Sequence, residues 1–422
     1  MSIKDSFPDG TLIDKWFYDT KAPSLKEFKN IYNILDFGVK DDGNIYTKEL
    51  QNLIDKVSLS GGLLYIPKGT YLSGALFIKG NVSVYLEKGA VLKASDDIND
   101  FPLSLTRIEG ETCEYYPALL NFKNCSNIAL FGEGAIDGNG LKFWKEFWQR
   151  LKENPSCTNK EVHRPRLTYF DHCSDVTISG LSLINSPFWT NHLYKCDHIK
   201  FLSCKILAPK EPVPAPSSDA IDIDACSDIL IKGCYFAVND DGVALKGGKG
   251  PWADEDPNNG INERILIEKC EYGFVHSILA CGSESIHNRN ILVRNIKVAG
   301  AWQLLHLKLR PDTPSLYEHI KIEDVKGYIT GSFLNINPWT QFFDLKGRKD
   351  KPISLAKNIT FENINLSCEC FFNVKKEETQ YELSDFLFKN LEIHTKDKGT
   401  DYNFIRNNIF DNVKVSDSDE RD

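Results

Sequence analysis

Residues 217–248, SSDAIDIDACSDILIKGCYFAVNDDGVALKGG, place Asp219, Asp222, Asp224, Asp240 and Asp241 between short β-rich runs of Ile, Leu, Val and Phe. Counted from Ile229, apolar side chains fall at 229, 231, 234 and 236, and counted from Ile199 the same offsets fall at 199, 201, 204 and 206. The segment therefore repeats its predecessor. If each repeat is one turn of a coil, Asp219 and Asp240, 21 residues apart, can sit one above the other.

The same pattern runs on in both directions. VTISGLSL, IKFLSCKI, ILIKGCYF, ILIEKCEY, ILVRNIKV, IKIEDVKG, ITFENINL and FLFKNLEI all put apolar or small residues near offsets 0, 2, 5 and 7, commonly with Gly or a polar residue at 4. Their starts lie 23 to 39 residues apart, as expected when strands stack in register and the loops between them differ freely. Period-two alternation and the wealth of Ile, Val and Phe disfavour a helical solenoid. A β-propeller is the alternative, but its blades need about four strands in about 40 residues and two or three are seen per repeat, which favours the β-solenoid. The fold class expected is all-β: a single-stranded right-handed parallel β-helix.

Upstream, TKELQNLIDKVSLS carries Leu50, Leu53, Ile54 and Val57 at helical spacing, and such a helix suits the cap of an open coil end. VSVYLEKGAVLKAS reads as strand, turn, strand, and GEGAIDGNG as a glycine-rich turn region. In LKFWKEFWQRLKEN, Trp144 and Trp148 read as packing residues. Residues 1–30 read as an N-terminal arm and 31–422 as the β-helix domain.

The chain has 422 residues and carries 59 acidic against 50 basic side chains, a net charge of −9 that argues against a nucleic-acid surface. No apolar run reaches the length of about 18 residues needed to span a bilayer, so no membrane partner is expected. The N-terminus lacks an apolar signal region, which points to a cytoplasmic protein unless a leader has been removed. Oligomeric state is not legible. Of the twelve cysteines, Cys125, Cys173, Cys196 and Cys226 precede a repeat start by three residues, while Cys204, Cys234 and Cys270 follow one by five. That placement reads as stacked small hydrophobes, and no pair of CxxC motifs suggests a metal.

These motifs resemble glycoside hydrolase family 28, the polygalacturonases and rhamnogalacturonan hydrolases, from DFGVKDDG through GAIDGNG and INSPFW to about residue 330. The family pattern of Asn-Thr-Asp, Asp-Asp, Gly-His-Gly and Arg-Ile-Lys stands here as Ser217-Ser218-Asp219, Asp240-Asp241, Val275-His276-Ser277 and His306-Leu307-Lys308. The acids, the histidine and the lysine match, and the arginine does not.

The resemblance implies an inverting hydrolysis that needs no cofactor or metal. Asp240 would be the general acid, Asp219 and Asp241 would position and deprotonate water, and His276 would tune the donor. Lys308 would bind a uronate carboxylate, and Arg310 would supply the guanidinium that His306 cannot. Inversion calls for two carboxyls roughly 6.5 to 9.5 Å apart, and three clustered acids cannot ionise independently. Lys246, Lys249 and Trp252 are candidate contacts to an acidic oligosaccharide, as is the long insertion 337–350. The expected substrate is an α-linked, galacturonic-acid-containing, pectin-derived oligosaccharide attacked from a chain end. A polysaccharide lyase with Ca²⁺ on the same architecture, or a non-catalytic glycan-binding solenoid, remains the alternative.

Overall fold

The computed structural model describes residues 5–339, 341, 343–399 and 404–417. Residues 1–4 of the expected arm, Thr340 and Phe342 of the expected insertion, and residues 400–403 and 418–422 lie outside the described residues.

The repeats are the rungs of a right-handed parallel β-helix. Each coil contributes one strand to each of three parallel ladders. In the first ladder the repeat starts lie in one column: Ile128, Val176, Ile199, Ile229, Ile265, Ile291, Ile320, Ile359 and Phe386 pair in sequence. From His287 onward the first and second ladders join in single long strands such as His287–Ala301 and Leu316–Ile329. Side chains at offsets 0 and 2 point inward and form one continuous core with those of the other ladders. A parallel stack buried along its whole length has no other way to hide so much aliphatic surface.

The turns explain the residue at offset 4. Gly180, Ser203, Gly233, Lys269, Asn295, Asp324, Asn363 and Asn390 all take positive φ there, a left-handed bend that Gly and Asn adopt most readily. A second left-handed bend precedes each start, for example at Asp175, His198 and Asp228. Two fixed corners per coil keep successive strands in register while the rest of the loop varies.

Helix α1 (Thr47–Ser60) buries Leu50, Leu53, Ile54 and Val57 against the first coil and closes that end of the core. Helix α2 (Leu141–Glu153) packs through Phe143, Trp144 and Phe147, with Trp144 Nε1 donating to Ser186 O at 3.0 Å. Trp148 is partly exposed and donates to Pro214 O. Among the described residues no helix is long and apolar enough to cross a membrane. All twelve cysteines are free thiols, and Cys173, Cys196 and Cys226 stack through backbone N–H to sulfur contacts of 3.3 and 3.4 Å.

Residues 5–19 run as a strap across the outside of the first ladder. Phe7, Ile13 and Phe17 cover an outward column of Leu230, Leu266 and Leu292 and the neighbouring Leu202. Asp5 to Arg294 at 2.7 Å and Asp9 to Asn290 at 2.7 Å fasten the strap.

Candidate active site

The outer face of the third ladder carries the acids. Its strands Ile221–Asp224, Val243–Leu245 and Ser277–Cys281 pair in register; the first is entered from the second ladder through the long loop 208–220 and the other two through short turns. These connections deliver Asp219, Asp240 with Asp241, and His276. Main-chain bonds fix their spacing: Ala220 N donates to Asp241 O at 2.9 Å, and His276 N to Asp240 O at 2.8 Å. Gly242 permits the approach, because a Cβ there would lie 2.7 Å from the Tyr272 ring. The pairing of Ile221 with Val243 puts Asp241, rather than Asp240, in register beneath Asp219. Asp240 turns instead toward His276 in the next coil, whose Nδ1 lies 3.4 Å from its Oδ1.

One oxygen from each of Asp219, Asp240 and Asp241 lies within 4.8 Å of the others. This is tighter than the 6.5 to 9.5 Å expected from the inverting chemistry, because adjacent coils hold the acids at ladder spacing. Two oxygens 4.8 Å apart are still spanned by one water making two hydrogen bonds of about 2.8 Å. The cations closest to the group belong to the chain itself. Lys308 Nζ lies 2.5 Å from Asp241, and Lys246 Nζ lies 3.7 Å from Asp219, 3.6 Å from Asp222 and 3.4 Å from Glu284.

Burial first, and then the negative charge of Asp240, push Asp219 up to about 8, against the pull of Lys246. Burial also acts to raise Asp240, but the hydrogen bond and charge of His276, with Lys308 and Lys246 behind them, bring it down to about 2. His276 is raised in turn, since Asp240 outweighs its own desolvation. Asp240 is the most accessible of the three acids, with 26% of its side chain exposed against 5% for Asp219 and 1% for Asp241.

A groove of about 620 Å³ lies over these groups. Of the residues expected from sequence, Asp219, Asp240, Asp241, His276, Lys246, Lys249, His306, Lys308 and Arg310 all line it. Trp252 does not: it is half exposed, with the Arg348 guanidinium 4.9 Å over its ring. Arg310 is buried rather than exposed, and its fork is held by Asp312 at 2.8 and 2.9 Å instead of being offered to a ligand. His306 lies well below the usual histidine range through burial and the charge of Lys308, so it presents a neutral imidazole.

Several residues at the site were given no role of their own by the sequence reading, although Trp339 lies in the insertion 337–350 that it singled out. Trp302 and Trp339 stand at the downstream end of the groove, and Trp302 packs edge-on to His276 at 5.7 Å. Asp222, in the strand that Asp219 precedes, is fully buried and raised by burial and by Asp219, and neither of its oxygens accepts a hydrogen bond. Upstream, an antiparallel hairpin, Ser104–Ile108 with Glu111–Tyr115, covers the outer face. Under it the outward residues Tyr169 and His192 are 6% and 0% exposed, and Glu109 at its tip lines the groove. Glu109-Gly110 between alternating segments was the available signal for this hairpin. The hairpin tip thus borders the groove upstream of Asp219, and Trp302 and Trp339 stand at its other end.

A sequence profile of glycosyl hydrolases family 28 matches residues 64–328. A probable polygalacturonase of Vitis vinifera is 32% identical over 266 residues, which cover 60% of this chain and 51% of the grape protein. An endo-polygalacturonase of Pectobacterium parmentieri is 26% identical over 301 residues, covering 68% of this chain and 70% of its own length. The chain therefore spans about half the length of the grape relative. Among solved structures, a hyperthermoactive exopolygalacturonase from Thermotoga maritima superposes with a TM-score of 0.70 at 21% identity, covering 90% of this chain and 92% of that one.

Proposed function

The chain belongs to glycosyl hydrolases family 28, and from that premise we propose that it hydrolyses α-linked galacturonic-acid-containing oligosaccharides from a chain end, with inversion. The observation that carries this reading is the group of Asp219, Asp240 and Asp241 within 4.8 Å, with His276 on Asp240, in a groove that the hairpin tip borders through Glu109.

In the proposed reaction Asp240 protonates the glycosidic oxygen as its bond to the anomeric carbon breaks. A water held by Asp219 and Asp241 attacks that carbon from the opposite face and gives its proton to one of them. Position supports Asp240 as donor, because it is the acid most open to the groove. In the free enzyme the charge pattern favours the proton on Asp219. A sugar seated over Asp240 strips water from it and raises it, and the coupled set passes the proton across. Lys308 and Lys246 neutralise the group and face the substrate's carboxylates.

Incubation with galacturonan and mixed pectic oligosaccharides, followed by mass spectrometry and ¹H NMR of the first product, tests the whole reading. A single small sugar released from the chain end, appearing first as the β-anomer, is the expected result. An α-anomer overturns inversion, mixed internal fragments overturn chain-end action, and an unsaturated product overturns hydrolysis itself.

A further inference from the structure

On the reading that this enzyme works from a chain end, we propose that Arg107 is the positioning residue that sets this specificity, latching the Ser104–Tyr115 hairpin across the groove and fixing how much sugar fits upstream of the acids. Arg107 is 1% exposed. Its Nε donates to Asp224 Oδ2 at 2.9 Å, and its Nη2 to Asp224 Oδ1 at 3.4 Å and to Asn259 Oδ1 at 2.7 Å. Asp224 ends the strand that Asp219 leads into, and Asn259 belongs to loop 247–260 on the facing wall. One guanidinium therefore joins the hairpin, the acid-bearing strand and the opposite loop.

The hairpin needs such a fastening. It is a two-stranded ribbon, marginal by itself in water, and Leu103 and Leu105 on its outside are exposed. Its inner face packs Ile108 and Tyr115 on Phe188 and Trp189. Arg166 adds bonds of 2.7 Å to Arg107 O and Thr106 Oγ1, which hold the hairpin base. Arg107 reaches the far wall at Asn259, and Glu111 of the hairpin pairs with Lys249 of the same loop at 3.6 Å. At the tip, Gly110 lets the backbone close onto Glu284, since a Cβ there would lie 2.9 Å from the Glu284 Cβ. The tip carboxyl of Glu109 accepts from Asn159 Nδ2 at 3.0 Å. Together these contacts build a stop across the upstream end of the groove.

The test compares wild type with the double variant Arg107→Met/Asp224→Asn, which removes both buried charges so that neither is left unpaired. Both act on long galacturonan and on a trisaccharide, with product sizes read by chromatography. The expected result is that wild type releases one small product and the variant releases internal fragments of several sizes. Its kcat/KM on polymer relative to trisaccharide should rise about tenfold, with the trisaccharide loss carried by KM and not by kcat. An unchanged single product from a folded variant overturns the latch and leaves chain-end action standing. Mixed fragments from wild type overturn both. Replacing residues 107–112 with a two-glycine turn carries the same outcomes if the double variant does not fold.

Discussion

The outer faces of the first and third ladders are built on the same coils at the same spacing, yet they do opposite work. On the first, Leu230, Leu266 and Leu292 form an apolar column that, with Leu202 beside it, is sealed by Phe7, Ile13 and Phe17 of the strap. On the third, Asp219, Asp222, Asp240 and Asp241 crowd around Lys246 and Lys308 with buried oxygens left unpaired. The first face gains stability by covering apolar surface. The third gives stability up, because like charges and desolvated carboxylates are held together by a scaffold whose register is set elsewhere. A parallel β-helix can carry such a site because each face is one column of side chains, and the inward ladders hold the coil whatever the outward column contains.

The sharpest way to break this comparison is Asp240→Asn. On an oligosaccharide it should lower kcat by about 10³-fold, within the range of a lost general acid, with the circular dichroism spectrum unchanged. On an aryl galacturonide, whose leaving group needs no proton, the loss should be far smaller. Asp219→Asn should be impaired on both substrates. The opposite pattern would exchange the roles of the two acids.

On the covered face, Leu230→Ala should cost about 3 kcal/mol of unfolding free energy in a denaturant titration, since the side chain is completely buried beneath the strap. Its kcat and KM should not move. A kinetic change there would show that the two faces are not independent.

His276→Gln should lower kcat/KM by about tenfold and move the acidic limb of the pH–rate profile upward, because Asp240 loses the partner that holds it down. His276 is raised, so its stabilising contribution is fully present below its ordinary value of 6.5 and is lost as pH rises through the raised one. Asp240 is lowered, so its contribution is present above 3.8 and is lost as pH falls toward about 2. The variant's deficit in Tm should therefore be greatest between those ordinary values and fade at alkaline pH.

The smallest effect concerns Asp219. Its raised carboxyl favours the native state at pH values below 3.8, and that preference is lost as pH rises through about 8. Asp219→Asn should thus melt about 3 °C above wild type at pH 9 and level with it near pH 4. A variant less stable than wild type at pH 9 would contradict the strain assigned to this face.

Much of this was written in the sequence. The apolar offsets from Val176 to Phe386 are the actual register of the first ladder, and the Gly, Ser and Asn residues at offset 4 mark its left-handed corners. The acids Asp219, Asp240 and Asp241, with His276 and Lys308, were identifiable by residue type and by resemblance, and the coil brings them together. Two further signals were present. The runs ILI, ILI and ILV from Ile229, Ile265 and Ile291 place leucine on the outward side, which a strand does only when something covers it. The turn at Glu109-Gly110 marks the hairpin.

The sequence by itself determined the periodicity, and with it the fold, because alternation and corner residues act over a few neighbours and need no knowledge of the rest of the chain. It also supplied the chemical inventory of the site. Only the tertiary structure decided which charges are free to act. Asp312 takes the fork of Arg310, Arg348 stacks on Trp252 away from the groove, and Arg107 reaches Asp224 and Asn259 across 117 and 152 residues. Pairing, burial and the resulting proton affinities depend on distances of a few ångströms between residues far apart in the chain, which local patterns do not encode.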